Sequence, residues 1–379
     1  MTEIYNETFF LANITNSSEE LFHLDSIRLP KTISDTNNLF TFSNKISVPI
    51  DIPLTTLLPL SISLGLLIIS TIIGNVFVMA AICRERNLQT VGNYLVFSLS
   101  FADFMVACLV MPLGALYEIM DQNWILSSEL CEVWTSADVL CCTASILHLV
   151  AIALDRYWAV TNIDYVQQRS GRRIGIMIFL VWIVACMVSF APIMGWKDDM
   201  FLHRIEEEKR CLVSQDPGYQ VFATCSTFYV PLVAILILYW RIYQVARNRI
   251  RRKPGHAIRP TTILPLVCET TSFNGSALMS EAVNPKPRTR ESVEAMRERK
   301  AAKTLAIITG VFLVCWLPFF VTALLMSLCP SCDPGPKVFS LFLWLGYANS
   351  TLNPLIYTVF SPDFRKAFAR QLCGKKCSK

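Results

Sequence analysis

The chain has 379 residues, of which 53% are hydrophobic and 17% charged, with a mean hydropathy of +0.44. Soluble domains carry about a quarter charged residues, so this composition argues against a soluble globular protein and favours a membrane protein. The formal net charge of +5 does not indicate nucleic-acid binding. Its excess lies in short segments beside apolar runs, where basic residues set topology and contact anionic lipid.

The N-terminal segment, residues 1–54, precedes the first apolar run and carries three glycosylation sequons, which begin at Asn6, Asn13 and Asn16. Such acceptors are useful only on the lumenal side of a membrane. The first residues contain neither a basic region nor a long apolar run, so no cleavable signal peptide is expected. The sequence predicts an extracellular, glycosylated tail, with the first span as signal anchor.

Seven apolar runs follow, each about as long as a helix needs to cross a hydrocarbon layer of about 30 Å. They extend over Thr55–Ile82, Tyr94–Leu116, Val133–Val160, Ile174–Trp196, Tyr219–Tyr243, Thr304–Leu328 and Val338–Phe360. Pro112, Pro192, Pro231, Pro318 and Pro354 each lie inside one of the later runs. Membrane helices tolerate proline and kink there. The predicted fold is an all-α seven-transmembrane helix bundle over residues 55–360.

The basic residues of the short connections predict the orientation. The first connection, Ile82–Val91, and the third are basic, whereas the second, Tyr117–Leu130, contains neither Lys nor Arg. Basic connections stay on the cytoplasmic side. The sequence therefore predicts a multi-pass plasma-membrane protein with an extracellular N-terminus and a cytoplasmic C-terminus.

The two longest cytoplasmic segments differ in character. Residues 246–299 combine basic residues with Pro, Ser and Thr and have too few large apolar residues to form a core, which predicts a largely disordered third loop with helical ends. Residues 361–379 predict a short amphipathic eighth helix and tail. Cys373 and Cys377 in that tail are candidates for palmitoylation.

Four cysteines face the oxidising side in this topology. Cys131 stands at the outer end of the third span and Cys211 in the loop before the fifth, and a disulfide between them would pin that loop over the helix mouth. Cys329 and Cys332 could close a small ring in the last outer loop. So short a loop can be strained, and bridged and free forms both stay open.

A carboxylate at membrane depth is a functional candidate, because burying a charge costs at least about 2.5 kcal/mol. Asp138 lies two helical turns inward from Cys131, with no obvious basic partner in the neighbouring spans. A protonated amine would neutralise it, and the alternative is a protonated or solvated structural Asp. Rings that could stack on an aromatic cation occur on the sixth and seventh spans, at Trp316, Phe319, Phe320, Trp344 and Tyr347. The pattern favours a pocket for an aromatic amine.

Asp103 lies in the middle of the second span, where polar side chains of other spans reach the same depth. These are Ser145, Asn349, Ser350 and Asn353. One carboxylate with hydroxyl and amide oxygens suits a sodium ion, and a purely structural hydrogen-bond network fits equally well. The sequence leaves these two interpretations even.

A third carboxylate, Asp155, belongs to the sequence Asp155-Arg156-Tyr157 at the cytoplasmic end of the third span. If Asp155 holds Arg156 from the same helix and Glu298 holds it from the sixth span, breaking the second pair lets the two helices separate. The pattern predicts a switch, and the alternative is an ordinary interfacial ion pair.

These motifs together resemble those of rhodopsin-like G-protein-coupled receptors over about Leu54–Cys373. The resemblance is carried, in order and spacing, by Gly74-Asn75-Val76, Leu99-Ser100-Phe101-Ala102-Asp103, Asp155-Arg156-Tyr157, Trp182, Pro231, Cys315-Trp316-Leu317-Pro318 and Asn353-Pro354-Leu355-Ile356-Tyr357. It implies that Arg156 and Glu298 form a cytoplasmic lock with Tyr239 and Tyr357 as active-state partners. It also implies a packing switch formed by Trp316, Ile146, Pro231 and Phe312.

Asp138 with Trp316-Leu317-Pro318-Phe319-Phe320 and the Trp344/Tyr347 pair narrows the resemblance to biogenic-amine receptors. The segments 153–165 and 211–225 are most similar to invertebrate serotonin receptors of the type 1 and type 7 groups. The implied pocket adds Val139, Cys142, Thr143, Ala223, Thr224 and Thr227. Catecholamine receptors usually present several serines on the fifth span, whereas Ala223 replaces the first here, so a single ring hydroxyl is favoured. Octopamine, tyramine or dopamine is the alternative ligand.

The resemblance implies a heterotrimeric G protein that changes adenylyl cyclase activity, with inhibition slightly favoured, and arrestin and receptor kinases as further partners. Membrane lipid is expected as a partner and nucleic acid is not. No cofactor is expected beyond a possible allosteric sodium ion. An enzyme is not predicted, because the spans show no nucleophile and base at motif spacing. The seven spans also show neither the two related halves that are typical of transporters nor the filter loop of a channel.

Overall fold

The computed structural model describes residues 53–162, 165, 169–251, 290–332 and 334–373. The glycosylation sites Asn6, Asn13 and Asn16, the cysteine Cys377 and the centre of the third loop lie outside these ranges. The disorder expected in that loop and both modifications therefore stay predictions.

Seven long helices and a short terminal helix account for most of the described residues. They are α1 (Leu54–Arg84), α2 (Asn93–Ile119), α3 (Ser128–Thr161), α4 (Gly171–Phe190), α5 (Pro217–Thr224, Cys225–Tyr229 and Val230–Arg251), α6 (Arg290–Leu328), α7 (Pro336–Phe360) and α8 (Pro362–Cys373). A short loop helix, Phe201–Glu206, lies between α4 and α5. No strand occurs in the ranges given above, which confirms the all-α prediction.

Six of the long helices are long and apolar enough to cross a membrane, and α7 is not among them. Its 25 residues include Asn349, Ser350 and Asn353, which are buried against the other helices. Large apolar side chains on the opposite, outer faces of the bundle are exposed, as on helices that contact lipid. Phe179 is 64% and Val314 71% exposed.

The fourth span ends earlier than predicted, at Phe190 rather than at Trp196. Pro192 therefore lies in a turn after α4 and not inside a helix. The Trp196 N–H donates to the Ala191 carbonyl across this turn, where Gly195 has a φ of +117°. A proline has no N–H to donate, so helices commonly stop just before one.

Two of the other predicted prolines follow wide π-helical turns. The turn Val106–Val110 precedes Pro112 in α2, and the turn Cys225–Tyr229 precedes Pro231 in α5. Pro318 and Pro354 lie inside the continuous helices α6 and α7. A π turn adds one residue and rotates the side chains that follow, so it changes which residues face the bundle.

The third helix is the centre of the bundle, because it packs against α2, α4, α5 and α6. At one end of α3, Cys131 is joined to Cys211, with their Cα atoms 5.7 Å apart. At the other end lies Asp155. We call these the disulfide end and the Asp155 end of the bundle.

The terminal helix α8 is amphipathic and is held at the Asp155 end. Phe364 is buried and stacks on Tyr357 of α7, with ring centroids 5.4 Å apart. Arg370 Nη1 lies 2.6 Å from Glu85 Oε2, just beyond α1. An aromatic contact therefore joins α8 to α7, and an ion pair joins α8 to the residue that follows α1.

Helices α1 and α7 approach closely at Gly74, and we expect Gly74→Ala to destabilise the protein. A Cβ atom there would lie 3.0 Å from Cγ of the rigid Pro354 ring, and such overpacking costs about 1–3 kcal/mol. Gly65 in the same helix has nothing within 4 Å, so Gly65→Ala should be neutral or stabilising by about 1 kcal/mol through helix propensity. The melting temperature of purified Gly74→Ala should therefore fall while that of Gly65→Ala stays unchanged or rises, and equal shifts would refute the close packing.

Candidate functional site

The disulfide predicted between Cys131 and Cys211 is confirmed, and Cys329 and Cys332 are also bonded, with their Cα atoms 5.4 Å apart. The first bond fixes the loop before α5 to the top of α3. Asp138 lies seven residues further along α3, which is about 10 Å at 1.5 Å per residue. The carboxylate therefore lies just below the disulfide end.

Asp138 has little local compensation for its charge. Cys142 Sγ, one turn along α3, donates to Asp138 Oδ1 at 3.3 Å, and Tyr347 of α7 faces the carboxylate. Within the described ranges, no Lys, Arg or His forms an ion pair with it. A thiol is a weak donor, so the carboxylate keeps acceptor capacity for a cation.

Rings from α5, α6 and α7 form an aromatic wall near this carboxylate. Trp316 lies 5.8 Å from Phe319, 5.6 Å from Phe320 and 6.3 Å from Tyr347, measured between ring centroids. Trp344 lies edge-on to Tyr347 at 5.4 Å. The geometry brings together the five aromatic residues predicted from the sequence.

Trp316 rests against the backbone of α7 at Gly346. A Cβ atom on Gly346 would lie 2.6 Å from Cζ3 of the indole, so only glycine fits there. Phe320 also stacks on Phe228 of α5, with centroids 4.4 Å apart. Phe228 was not predicted, because one phenylalanine among many in an apolar run carries no distinguishing signal.

The polar residues predicted on α3 and α5 are half-buried or buried, as are their neighbours Val139 and Ala223. Thr227 Oγ1 donates to the Ala223 carbonyl at 2.7 Å, and Thr224 is buried nearby. The Thr143 hydroxyl is buried and has no hydrogen-bond partner in the part of the chain that the structure describes. An unused buried hydroxyl is costly, so this position suits a polar ligand group.

Tyr219, at the start of α5, is a further candidate that the sequence did not indicate. Its side chain is 1% exposed, and its hydroxyl has no hydrogen-bond partner among the described residues. Asp138 is close enough to act on it electrostatically. A tyrosine at the edge of an apolar run is usually an anchor at the membrane interface. The sequence therefore gives no sign that Tyr219 lies near the pocket.

Asp103 is held by three donors from two other helices. Ser145 Oγ and Ser350 Oγ donate to Oδ1 at 3.0 and 2.9 Å, and Asn353 Nδ2 donates to Oδ2 at 2.8 Å. The buried Oδ1 atoms of Asn349 and Asn353 accept no hydrogen bond from the described residues. One carboxylate beside hydroxyl and free amide oxygens fits a hard monovalent cation.

A second buried network joins three helices just below this level. His148 Nδ1 lies 2.6 Å from the Ala144 carbonyl, and His148 Nε2 lies 2.8 Å from Ser98 Oγ. Trp182 Nε1 donates to the same Ser98 oxygen at 3.1 Å. Trp182 is one of the motif residues of the sequence analysis, but its connection to His148 became visible only in the structure.

The carboxylate at the Asp155 end has partners that the sequence did not predict. Arg169 Nη2 donates to Asp155 Oδ2 at 2.8 Å, and the Tyr165 hydroxyl donates to Oδ1 at 3.1 Å. The predicted neighbour Arg156 approaches only to 3.7 Å through Nε. Asp155 is therefore held mainly by the connection between α3 and α4. The Glu298 side chain lies outside the described residues, so its pairing with Arg156 stays a prediction.

The remaining predicted switch residues lie along α3, α5, α6 and α7. Ile146, Phe312 and Pro231 are buried, and Phe312 lies 6.0 Å from Phe228. The Tyr239 hydroxyl lies 3.0 Å from Thr309 Oγ1 of α6, a contact that the sequence did not predict. Asn353 belongs to the Asp103 cluster, Pro354 packs on Gly74 and Tyr357 stacks on Phe364, while Tyr157 is half-buried.

Comparison with known proteins extends these observations. A family model described as 7 transmembrane receptor (rhodopsin family) matches residues 74–357. A 5-hydroxytryptamine receptor of Bombyx mori is 49% identical over 87% of this chain and 87% of its own length. A 5-hydroxytryptamine receptor of Heliothis virescens is 50% identical over 79% of this chain and 81% of its own length. The 5-hydroxytryptamine receptor 2B of Drosophila melanogaster is 36% identical over 99% of this chain and 94% of its own length.

We expect Arg169→Gln to lower the melting temperature of the purified protein far more than Arg172→Gln does. Asp155 is fully buried, and removing the closest cation from a buried pair costs about 3–5 kcal/mol. Arg172 is exposed on the following helix, so its loss should change stability by about 0.5 kcal/mol or less. Adding Asp155→Asn to Arg169→Gln should recover part of the loss, since it removes the uncompensated charge. Equal melting temperatures for the two single variants would contradict this interpretation.

Proposed function

Because the chain belongs to the rhodopsin family of seven-transmembrane receptors, we propose that it is a plasma-membrane receptor for serotonin. We further propose that its G protein changes adenylyl cyclase activity, with inhibition favoured over stimulation. The observation that carries the ligand assignment is the half-buried, weakly compensated Asp138 beside an aromatic wall, in a chain similar to named 5-hydroxytryptamine receptors.

In the proposed complex, the ammonium group of serotonin binds the Asp138 carboxylate and its indole ring stacks among Trp316, Phe319 and Phe320. The free hydroxyl of Thr143, with Thr227 and Thr224, then meets the ring hydroxyl or the indole N–H. A buried hydrogen bond contributes about 1 kcal/mol net, so these threonines refine selectivity and the carboxylate dominates affinity. Val139, Cys142, Ala223, Trp344 and Tyr347 complete the pocket.

The proposed orientation places the disulfide end outside the cell and the Asp155 end inside. Serotonin shifts the receptor towards a state in which the inner end of α6 moves outward and Arg156 becomes accessible to the G protein. The ligand can do so only through its higher affinity for that state. Trp316 packs between α6 and α7 at Gly346, and Phe312 lies one turn below it, so both lie on the path between pocket and inner end.

Further proposals follow from the same assignment. The active receptor is a substrate of receptor kinases and binds arrestin. Asn6, Asn13 and Asn16 carry glycans, and palmitate on Cys373 or Cys377 fixes α8 to the inner leaflet. The packing of Phe364 on Tyr357 of α7 and of Phe368 on Phe77 of α1 supports this position of α8.

The ligand assignment predicts that Asp138→Asn lowers serotonin potency about tenfold to hundredfold, the equivalent of one charge-assisted hydrogen bond of about 1.5–3 kcal/mol. The measurement is cyclic AMP in cells that express the receptor, titrated with serotonin, octopamine, tyramine, dopamine and histamine. Asp121→Asn is the control, because Asp121 is an exposed carboxylate at the same end with a φ of +52°, which Asn tolerates.

A fall in cyclic AMP identifies the inhibitory coupling and a rise the stimulatory one. If octopamine, tyramine or dopamine is far more potent than serotonin, the ligand assignment is wrong. If Asp138→Asn responds like Asp121→Asn at equal surface expression, Asp138 is not the amine site.

We also propose that sodium binds at Asp103, with Ser145, Asn349 and Ser350 in reach. The two unused amide oxygens beside the carboxylate support this. Sodium at ten times its Kd should then add about 1.4 kcal/mol to the free energy of unfolding. The melting temperature of the purified receptor should therefore be higher in sodium chloride than in choline chloride. Asp103→Asn should abolish the difference, whereas Asp121→Asn should retain it. Equal melting in both salts for the unmodified receptor would favour the purely structural network.

A further inference from the structure

The connection between α4 and α5 is folded back on itself. Trp196 Nε1 donates to Asp216 Oδ1 at 2.7 Å, and Ser214 Oγ donates to the Trp196 carbonyl at 3.0 Å. The Gln215 N–H donates to Asp198 Oδ2 at 2.7 Å. Two limbs of the loop, one leaving α4 and one entering α5, therefore lie side by side.

Asp198 joins three parts of this loop. Besides the Gln215 amide, it accepts hydrogen bonds from Arg204 Nη1 at 2.6 Å and Nη2 at 2.9 Å. Arg204 belongs to the short loop helix Phe201–Glu206, and its own carbonyl accepts from the Arg210 N–H at 2.8 Å. The first limb, the loop helix and the second limb thus meet at one carboxylate.

The Asp198–Arg204 pair is well shielded from water, with side chains 14% and 12% exposed. Burial alone raises the pKa of the Asp198 carboxyl. The hydrogen bonds from Arg204 and the Gln215 amide, with the positive charge of Arg204, outweigh burial and hold that pKa below its usual range. A bidentate pair of this kind has a defined geometry, unlike a single exposed contact.

Three separate contacts join this loop to the helix bundle, and each fixes one residue of the loop. The disulfide fixes Cys211 to α3, the Trp124 N–H donates to the Lys209 carbonyl at 2.6 Å, and Lys197 Nζ lies 2.5 Å from Glu132 Oε1. A single bond such as the disulfide is a pivot about which the second limb could turn. Ser214 and Asp216 of that limb are tied to Trp196, and Asp198 holds Gln215 between them, four residues beyond Cys211, through a carboxylate that is itself fixed by Arg204.

We infer that Asp198 is a positioning residue that holds residues 211–215 as a lid over the Asp138 pocket and so sets how fast a ligand enters and leaves. The inference rests on the proposed function, since it concerns the ligand of the same pocket. A lid that loosens lowers the barrier in both directions. Loss of Asp198 should therefore raise the association and dissociation rates together and change their ratio less.

The test compares Asp198→Asn with Asp199→Asn, the same substitution at the adjacent, exposed carboxylate. An asparagine at 198 places an NH₂ group where one carboxylate oxygen accepts hydrogen bonds, so it cannot keep all three donors. Association and dissociation of tritiated serotonin are measured on membranes that contain the full-length receptor. We expect both rates to rise about fivefold, roughly the effect of one net hydrogen bond of about 1 kcal/mol, in Asp198→Asn only. Asp198→Glu should restore part of the difference.

A second readout needs no ligand. In cells expressing receptors that all carry Cys329→Ser and Cys332→Ser, dithiothreitol reduces Cys131–Cys211 and a membrane-impermeant maleimide labels the thiols. Asp198→Asn should be labelled faster than Asp199→Asn, because the loosened lid exposes the disulfide. Arg204→Gln should act like Asp198→Asn, and the double variant should add little, since both remove the same pair.

The outcomes separate this inference from the proposed function. If the unmodified receptor does not bind tritiated serotonin, the ligand assignment fails, and faster labelling of Asp198→Asn still supports the positioning role. If Asp198→Asn matches Asp199→Asn in labelling and in both rate constants, the inference is wrong even where serotonin binds. A change in affinity carried by dissociation alone, with no change in association or labelling, also overturns it, because it indicates a lost ligand contact.

Discussion

A carboxylate buried among membrane helices has no water to stabilise its charge, so the protein or a ligand must do so. This constraint distinguishes the three aspartates, of which Asp103 and Asp155 are buried and Asp138 is half-buried. Asp103 accepts three hydrogen bonds from α3 and α7, and Asp155 is held by Arg169 and Tyr165. Asp138 receives one thiol contact and faces Tyr347. The aspartate with the weakest internal support is the one that lies beside the aromatic wall.

All three sites involve the same helix, which explains how events at the two ends can be related. Asp138, Ser145 and Asp155 lie along α3, and the first and last are about 25 Å apart at 1.5 Å per residue. Each site also includes a residue of a different neighbour, such as Trp316 of α6, Asn353 of α7 or Arg169 of the following connection. A movement of any neighbour therefore changes the environment of a carboxylate on or against α3.

Much of this arrangement could be predicted from the sequence, because the signals are strong in physical terms. Runs of about 20 apolar residues predict the spans, and a carboxylate inside such a run predicts Asp103, Asp138 and Asp155 as sites. Contacts between helices could not be predicted, since they depend on which face of each helix turns inwards. The π turns before Pro112 and Pro231 rotate those faces, and Phe228, which lies inside the second of them, became clear only in the structure. The early end of α4 is followed by a turn, and the partners of Asp155 lie in the short connection between α3 and α4, so hydrophobic periodicity carries no information on either.

The network of His148, Ser98 and Trp182 has a direction as well as a location. The Ala144 carbonyl can only accept, so Nδ1 of His148 carries the proton and Nε2 accepts from the Ser98 hydroxyl, whose oxygen accepts from Trp182. Each donor is thereby matched to one acceptor, and reversing any member would leave two donors or two acceptors facing each other. Matched donors and acceptors therefore tie α2, α3 and α4 together. Helices α5 and α6 meet instead through the stacked rings of Phe228 and Phe320 and through the hydroxyls of Tyr239 and Thr309, and neither contact has a fixed donor.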